Sequence, residues 1–123
     1  MPKDWNENII IAELADEPEL SEEFAAIFDR LEAAAAAAGA PGRPRAPHVV
    51  LNLSGVTYLN SSHLASLLRM RKKMTELGRS LVLCSLGDDV WSVMMLTGLD
   101  KIFRIVPDPM AALAGLQIED EQR

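Results

Sequence analysis

The residues best placed to do chemistry form the run Asn60-Ser61-Ser62-His63. An apolar stretch, residues 49–53, and then the turn signal Ser54-Gly55 precede it, and an apolar stripe of helical spacing starts at Leu64. Two hydroxyls therefore fall at the start of a helix, where unpaired backbone N–H groups and the helix dipole favour an anion. A serine in that place either caps the helix or offers a site for a phosphate. A hydrolase is a poor reading of the adjacent Ser62-His63 pair. Helical neighbours point about 100° apart and do not face one another, and no Gly-x-Ser-x-Gly turn is present. One cysteine (Cys84) and two isolated histidines (His48, His63) offer no metal-ligand spacing. No glycine-rich phosphate loop follows a strand, so neither a cofactor nor a nucleotide is expected.

The elements that must position this run alternate. Residues 8–14 have the content of a strand, broken by Asp16-Glu17-Pro18. Ser21 reads as the cap of a helix whose stripe is Phe24, Ile27, Phe28 and Leu31, continuing through an alanine run to a stop at Gly39. Residues 40–47 form a loop rich in proline, glycine and arginine, with Arg43 and Arg45 in water. Strand 49–53 leads to a helix over about 61–77. That helix buries Leu64, Leu67, Met70, Met74 and Leu77 and turns Arg69, Lys72, Lys73 and Glu76 outward, with Gly78 after its end. This basic face is either solvated or a docking patch for an acidic surface. A strand over 80–84 follows, then a short helix capped by Asp88 and ended by Gly98. Next come a strand over 101–106, the Asp108-Pro109 cap of a last helix over 110–116, and a frayed tail from Glu119. Strands alternating with helices imply an α/β fold with a mostly parallel sheet.

Composition bounds the function. At 123 residues the chain is long enough for one domain with a real core. A net charge of −6 argues against general nucleic-acid binding. A single cysteine fits a reducing compartment, and no run approaches the roughly 18 apolar residues that span a bilayer. The expectation is a cytoplasmic protein with no membrane insertion.

Three segments, in order and at matching distances, resemble the STAS domain shared by anti-sigma-factor antagonists and the tails of sulphate transporters. They are Asn52-Leu53-Ser54-Gly55-Val56, Asn60-Ser61-Ser62-His63-Leu64, and 96–103 (Leu-Thr-Gly-Leu-Asp-Lys-Ile-Phe). The resemblance covers about residues 8–116. It implies a small mixed, mostly parallel sheet with helices mainly on one face. The family's usual first strand looks short or missing here, which would leave an exposed sheet edge and a monomer or weak homodimer.

The resemblance also implies a function. Ser62 would be the phosphoacceptor of a serine kinase that doubles as an anti-sigma factor. Asn60, Ser61, Ser62 and His63, with Arg69, Lys72 and Lys73, would meet that partner. The chain would then be a non-enzymatic regulator of transcription that exchanges partners. Asn60 and His63 depart from the family's Asp and Gly. His63 adds bulk and a titratable group that could gate partner choice, or is a plain exposed histidine of the first turn. These departures lean toward an alternative, a non-phosphorylated scaffold of a stressosome-like or lipid-transport complex.

Overall fold

The computed structural model describes residues 2–6, 8–37 and 46–122, with residues 2–6 followed as backbone. The elements are β1 (Pro2–Asn6), β2 (Ile9–Ala15), α1 (Glu19–Ala36), β3 (His48–Gly55), α2 (Ser61–Glu76), β4 (Leu81–Cys84), α3 (Asp88–Leu96), β5 (Arg104–Val106) and α4 (Pro109–Glu121), with a 3-10 turn at Leu99–Lys101 before β5. The expected helix stop at Gly39 and the arginines Arg43 and Arg45 lie outside the described residues.

The five strands lie in the order β1-β2-β3-β4-β5. β1 runs antiparallel to β2, and the other neighbours are parallel. The fold is thus the mixed, mostly parallel sheet that the alternation implied. Because each parallel strand is laid beside the previous one in a single direction, right-handed crossovers send α1, α2 and α3 to the same face. α4 follows the last strand and covers the other face. Its Ala112, Leu113 and Leu116 pack with Ile9, Val50, Val82 and Cys84.

Both faces are therefore dry, and the strands obey period two across them. In β3, Val49, Leu51 and Leu53 face the helical layer, where Leu20, Phe24, Ile27, Leu31, Leu67, Met70 and Met74 meet them, while Val50 faces α4. Burying a Leu, Ile or Met side chain of this kind stabilises by about 1.5–3 kcal/mol.

β1 is present as a short strand, the first of the two alternatives that the sequence left open, and it pairs with β2 from Pro2 opposite Ala12 to Asn6 opposite Ile9, with a register shift between Asp4 and Asn6. Three expectations are corrected. Ser21 is not the cap of α1. The helix starts two residues earlier, after Pro18, and the Glu17 carboxylate takes the Ser21 amide (2.8 Å). Asp88 is the first residue of α3, not its cap; the cap position is Gly87. The tail is not frayed from Glu119. α4 runs on to Glu121, because Glu119 accepts from Ser80 Oγ (2.8 Å) and Arg104 (2.9 Å), and Asp120 is held by His48 (2.8 Å) and Arg79 (3.4 Å). Asp108 does cap α4, accepting the Ala111 amide at 2.8 Å with Pro109 next in the chain.

Candidate functional site

Strands β2, β3, β4 and β5 end at one edge of the sheet, so the loops 16–18, 56–60, 85–87 and 107–108 all emerge there. Open parallel sheets carry their binding sites at this edge. The first two loops are drawn together by the backbone of β3. A Cβ on Gly55 would stand 2.7 Å from the Leu14 carbonyl oxygen, so only glycine lets β3 pass this close to the end of β2. Just beyond, Asp16 takes the Thr57 amide (2.9 Å) and the Thr57 hydroxyl (2.7 Å). The Thr57 hydroxyl bond, then its amide bond, hold the Asp16 carboxyl below the usual carboxylate range.

α2 begins under this tie, and its cap is Asn60. The Asn60 side-chain oxygen accepts the His63 amide (2.9 Å), and the Asn60 amide donates to His63 Nδ1 (3.1 Å). This is a reciprocal capping box with imidazole in the place usually held by Glu or Gln. An amide N–H can only donate, so Nδ1 is the acceptor and the proton of the neutral ring sits on Nε2. From there it is donated to Glu17 Oε2 at 3.0 Å. His63 is 3% exposed, packed edge-on to Phe24 and tilted against Tyr58. The expectation of an exposed histidine is therefore corrected: the ring turns inward and adds no bulk to the surface beside Ser62. Glu17 collects the Ser21 hydroxyl, His63 Nε2–H and the Ser21 amide, and these bonds pull its pKa down to about 2.

Ser61 and Ser62, the first two residues of α2, are exposed. Because Asn60 does the capping, neither hydroxyl is needed for it. Carboxylate, imidazole and serine do meet here, but not as a nucleophilic triad. A triad needs a ring nitrogen facing the serine hydroxyl. Here Nδ1 is taken by the Asn60 amide and Nε2 by Glu17. The arrangement holds two loops together; it offers Ser61 and Ser62 outward and gives neither a base.

The basic residues divide. Ser62, Ser66, Arg69 and Lys73 share one stripe of α2. From Ser66 onward it lines an open groove of about 570 Å³ against Ser21, Phe24, Ala25, Phe28, Asp29 and Glu32 of α1. Arg69 donates to Ser66 Oγ (3.1 Å), with its guanidinium 5.3 Å from the Phe28 ring centre. Lys73 pairs with Glu32 at 2.9 Å, a bond that raises its pKa. Lys72 is exposed. Arg69 and Lys73 thus line one groove with α1 instead of forming a free outer patch with Lys72. Residues that sequence reasoning missed are Asp16, Glu17 and Thr57. Their partners lie 41 and 46 residues away, and no local pattern marks them.

The family model of the STAS domain matches residues 7–112. The chain belongs to the STAS family. Solved structures with the same fold include a candidate anti-sigma factor antagonist of Thermotoga maritima, at TM-score 0.75 and 20% identity, covering 95% of this STAS domain and 93% of that chain. An anti-sigma-factor antagonist (STAS) domain protein of Planctomyces limnophilus aligns at TM-score 0.67 and 21% identity, covering 91% and 93%. A serine-to-glutamate variant of RsbS from Moorella thermoacetica aligns at 0.66 and 16%, covering 93% and 92%. At these identities the likeness is one of fold. Among the described residues of this STAS domain no helix is long and apolar enough to cross a membrane.

Proposed function

We propose that this STAS domain is a cytoplasmic, non-enzymatic binding module that acts as an anti-sigma-factor antagonist. It binds a serine-kinase anti-sigma factor through the start of α2 and is released when that kinase phosphorylates Ser62. The observation that carries this reading is the division of labour at the helix start: Asn60 caps, and Ser62 stands exposed without a structural task. A phosphate there brings about −1.5 to −2 charges to a helix N-terminus, where the dipole favours it by about 0.3–1 kcal/mol. The fold tolerates the modification. A close partner contact does not, because the phosphate must be desolvated or expelled. Partner contacts would be shared among Asn60, Ser61, Ser62 and the groove residues Arg69 and Lys73, with Lys72 at the rim. The module would act as a monomer or weak homodimer.

The test is to capture the protein from its native cells with Ser62 intact, as Ser62→Ala and as Ser62→Glu, and to read partners and phosphate by mass spectrometry. The expected result is a kinase-type ATPase held by wild type and Ser62→Ala and lost from Ser62→Glu, with phosphate on Ser62 in the unbound pool. Equal binding by Ser62→Glu and an unmodified Ser62 under all conditions would overturn the switch. Constant co-purifying subunits would then favour the scaffold.

A further inference from the structure

We propose that His63 is a positioning residue of the Ser62 site: it fastens the loop after β2 to the phosphoacceptor turn, so that a partner meets Asp16, Glu17 and Ser62 as one surface. This rests on the reading of Ser62 as the switch and adds to it a second wall.

Two of the residues that set this chain apart from the family pattern, Asn60 and His63, bond to each other in both directions, at 2.9 and 3.1 Å. They are one device, not two separate departures. Its outer arm is the Nε2–H bond to Glu17 (3.0 Å), and Glu17 in turn holds the first turn of α1 through the Ser21 amide (2.8 Å). A continuous chain of hydrogen bonds therefore runs from the residue before Ser61, through the ring, to the start of α1. The Asp16–Thr57 pair is a second tie between the same two loops. With two independent ties, the loop 16–18 cannot swing without dragging the turn that carries Ser62. The ring is buried against Phe24 and Tyr58, so the device lies beneath the surface and leaves Ser62 approachable.

A charge placed on Ser62 is then felt on the loop 16–18. The Glu17 carboxylate meets the ring of the residue next to Ser62, 46 residues along the chain, and the Asp16 carboxylate meets Thr57, 41 residues along. A partner that rejects phosphorylated Ser62 would sense the response of both loops.

The experiment compares amide NMR spectra of the isolated chain with and without Ser62→Glu in four backgrounds: wild type, His63→Gly, His63→Gln and Glu17→Ala. In wild type the Ser62→Glu change should move the amides of Asp16, Glu17 and Ser21 as well as those of residues 61–65. In His63→Gly and Glu17→Ala the loop shifts should at least halve while the helix shifts stay. His63→Gln keeps a side chain able to accept the Asn60 amide. It should retain the slow hydrogen exchange of that amide, which His63→Gly should speed by about tenfold, the worth of one ordinary hydrogen bond. Equal loop shifts in all four backgrounds would overturn the proposal. If His63→Gly fails to fold, Glu17→Ala decides alone, since it removes the acceptor of the outer arm and leaves the cap. Transmitted shifts in a protein whose Ser62 no kinase modifies would keep the positioning role and sink the switch. Modification of Ser62 without transmitted shifts would do the reverse.

Discussion

Two histidines at opposite edges of the sheet use the same bonds for different ends. His48, at the start of β3, accepts the Ser80 amide on Nδ1 (2.9 Å) and donates Nε2–H to Asp120 (2.8 Å). His63, beyond the end of β3, accepts the Asn60 amide on Nδ1 (3.1 Å) and donates to Glu17 (3.0 Å). In each case a backbone amide fixes the tautomer and a carboxylate some distance along the chain takes the ring proton. The surroundings differ. His48 is 0% exposed and belongs to a network in which Arg79 also reaches Asp120 and the Asn8 carbonyl, and Glu119 takes Ser80 and Arg104. That network locks the end of α4 across the starts of β3 and β4. The His63 network supports an exposed pair of serines. The same imidazole geometry closes the fold at one edge and underlies two exposed serines at the other, so the motif alone does not tell structure from function. What lies on its outer side does.

The comparison breaks most visibly at the closed edge. His48→Ala strands the Ser80 amide, takes one bond from Asp120 and leaves a void, so it should cost about 3 kcal/mol in denaturant unfolding. His63→Ala loses the second half of a capping box and one bond to an exposed carboxylate. It should cost about 1–2 kcal/mol, and its damage should stay within the two loops. A hydrogen-exchange map showing equal, global loss of protection in both variants would erase the distinction.

Acid should open the two edges in sequence. Burial, outweighing the bond to Asp120, depresses the His48 pKa below its ordinary value of 6.5. The folded state therefore favours the neutral ring; its contribution is complete above pH 6.5 and is lost as the pH falls below it. Glu17 is depressed from 4.5 to about 2, so its contribution is complete above 4.5 and disappears only as the pH approaches 2. Stability measured against pH should show the His48 decline first, absent in His48→Gln, and a later one absent in Glu17→Gln. The smallest effect should be that of Ser61→Ala and Ser62→Ala, each within about 0.5 kcal/mol of wild type, since neither serine caps α2. A loss above 1 kcal/mol in either would show that a serine shares the capping with Asn60.

What could be read from the sequence was what short-range chemistry decides. The amphipathic stripes of α1 and α2, the Asp108-Pro109 start of α4 and the serines opening α2 all follow from residues within a turn of each other. Gly78 and Gly98 mark the helix ends for the same reason, with φ of 69° and 75°. β1 stayed undecided between short and missing because Pro2, Lys3 and Asp4 do not look like a strand; its pairing with β2 supplies what propensity lacks. The strand expected over residues 101–106 begins only at Arg104, because 99–101 turns as a 3-10 helix after Gly98. The roles of His63 and of the Glu119–Asp120 pair stayed hidden because each depends on partners dozens of residues away. The carboxylates at the end of α4 also run against the helix dipole, a cost that Arg79, Arg104 and His48 offset.

The placement of α4 also bears on the order of synthesis. Every strand leaves the ribosome before the helix that covers their second face. Until α4 arrives, Ile9, Val50, Val82 and Cys84 form a bare apolar sheet on a nascent chain whose other face is already roofed by three helices. A nascent STAS domain of this order is sticky on one side until its last moments of assembly, and a ribosome stalled before α4 would present that side to chaperones.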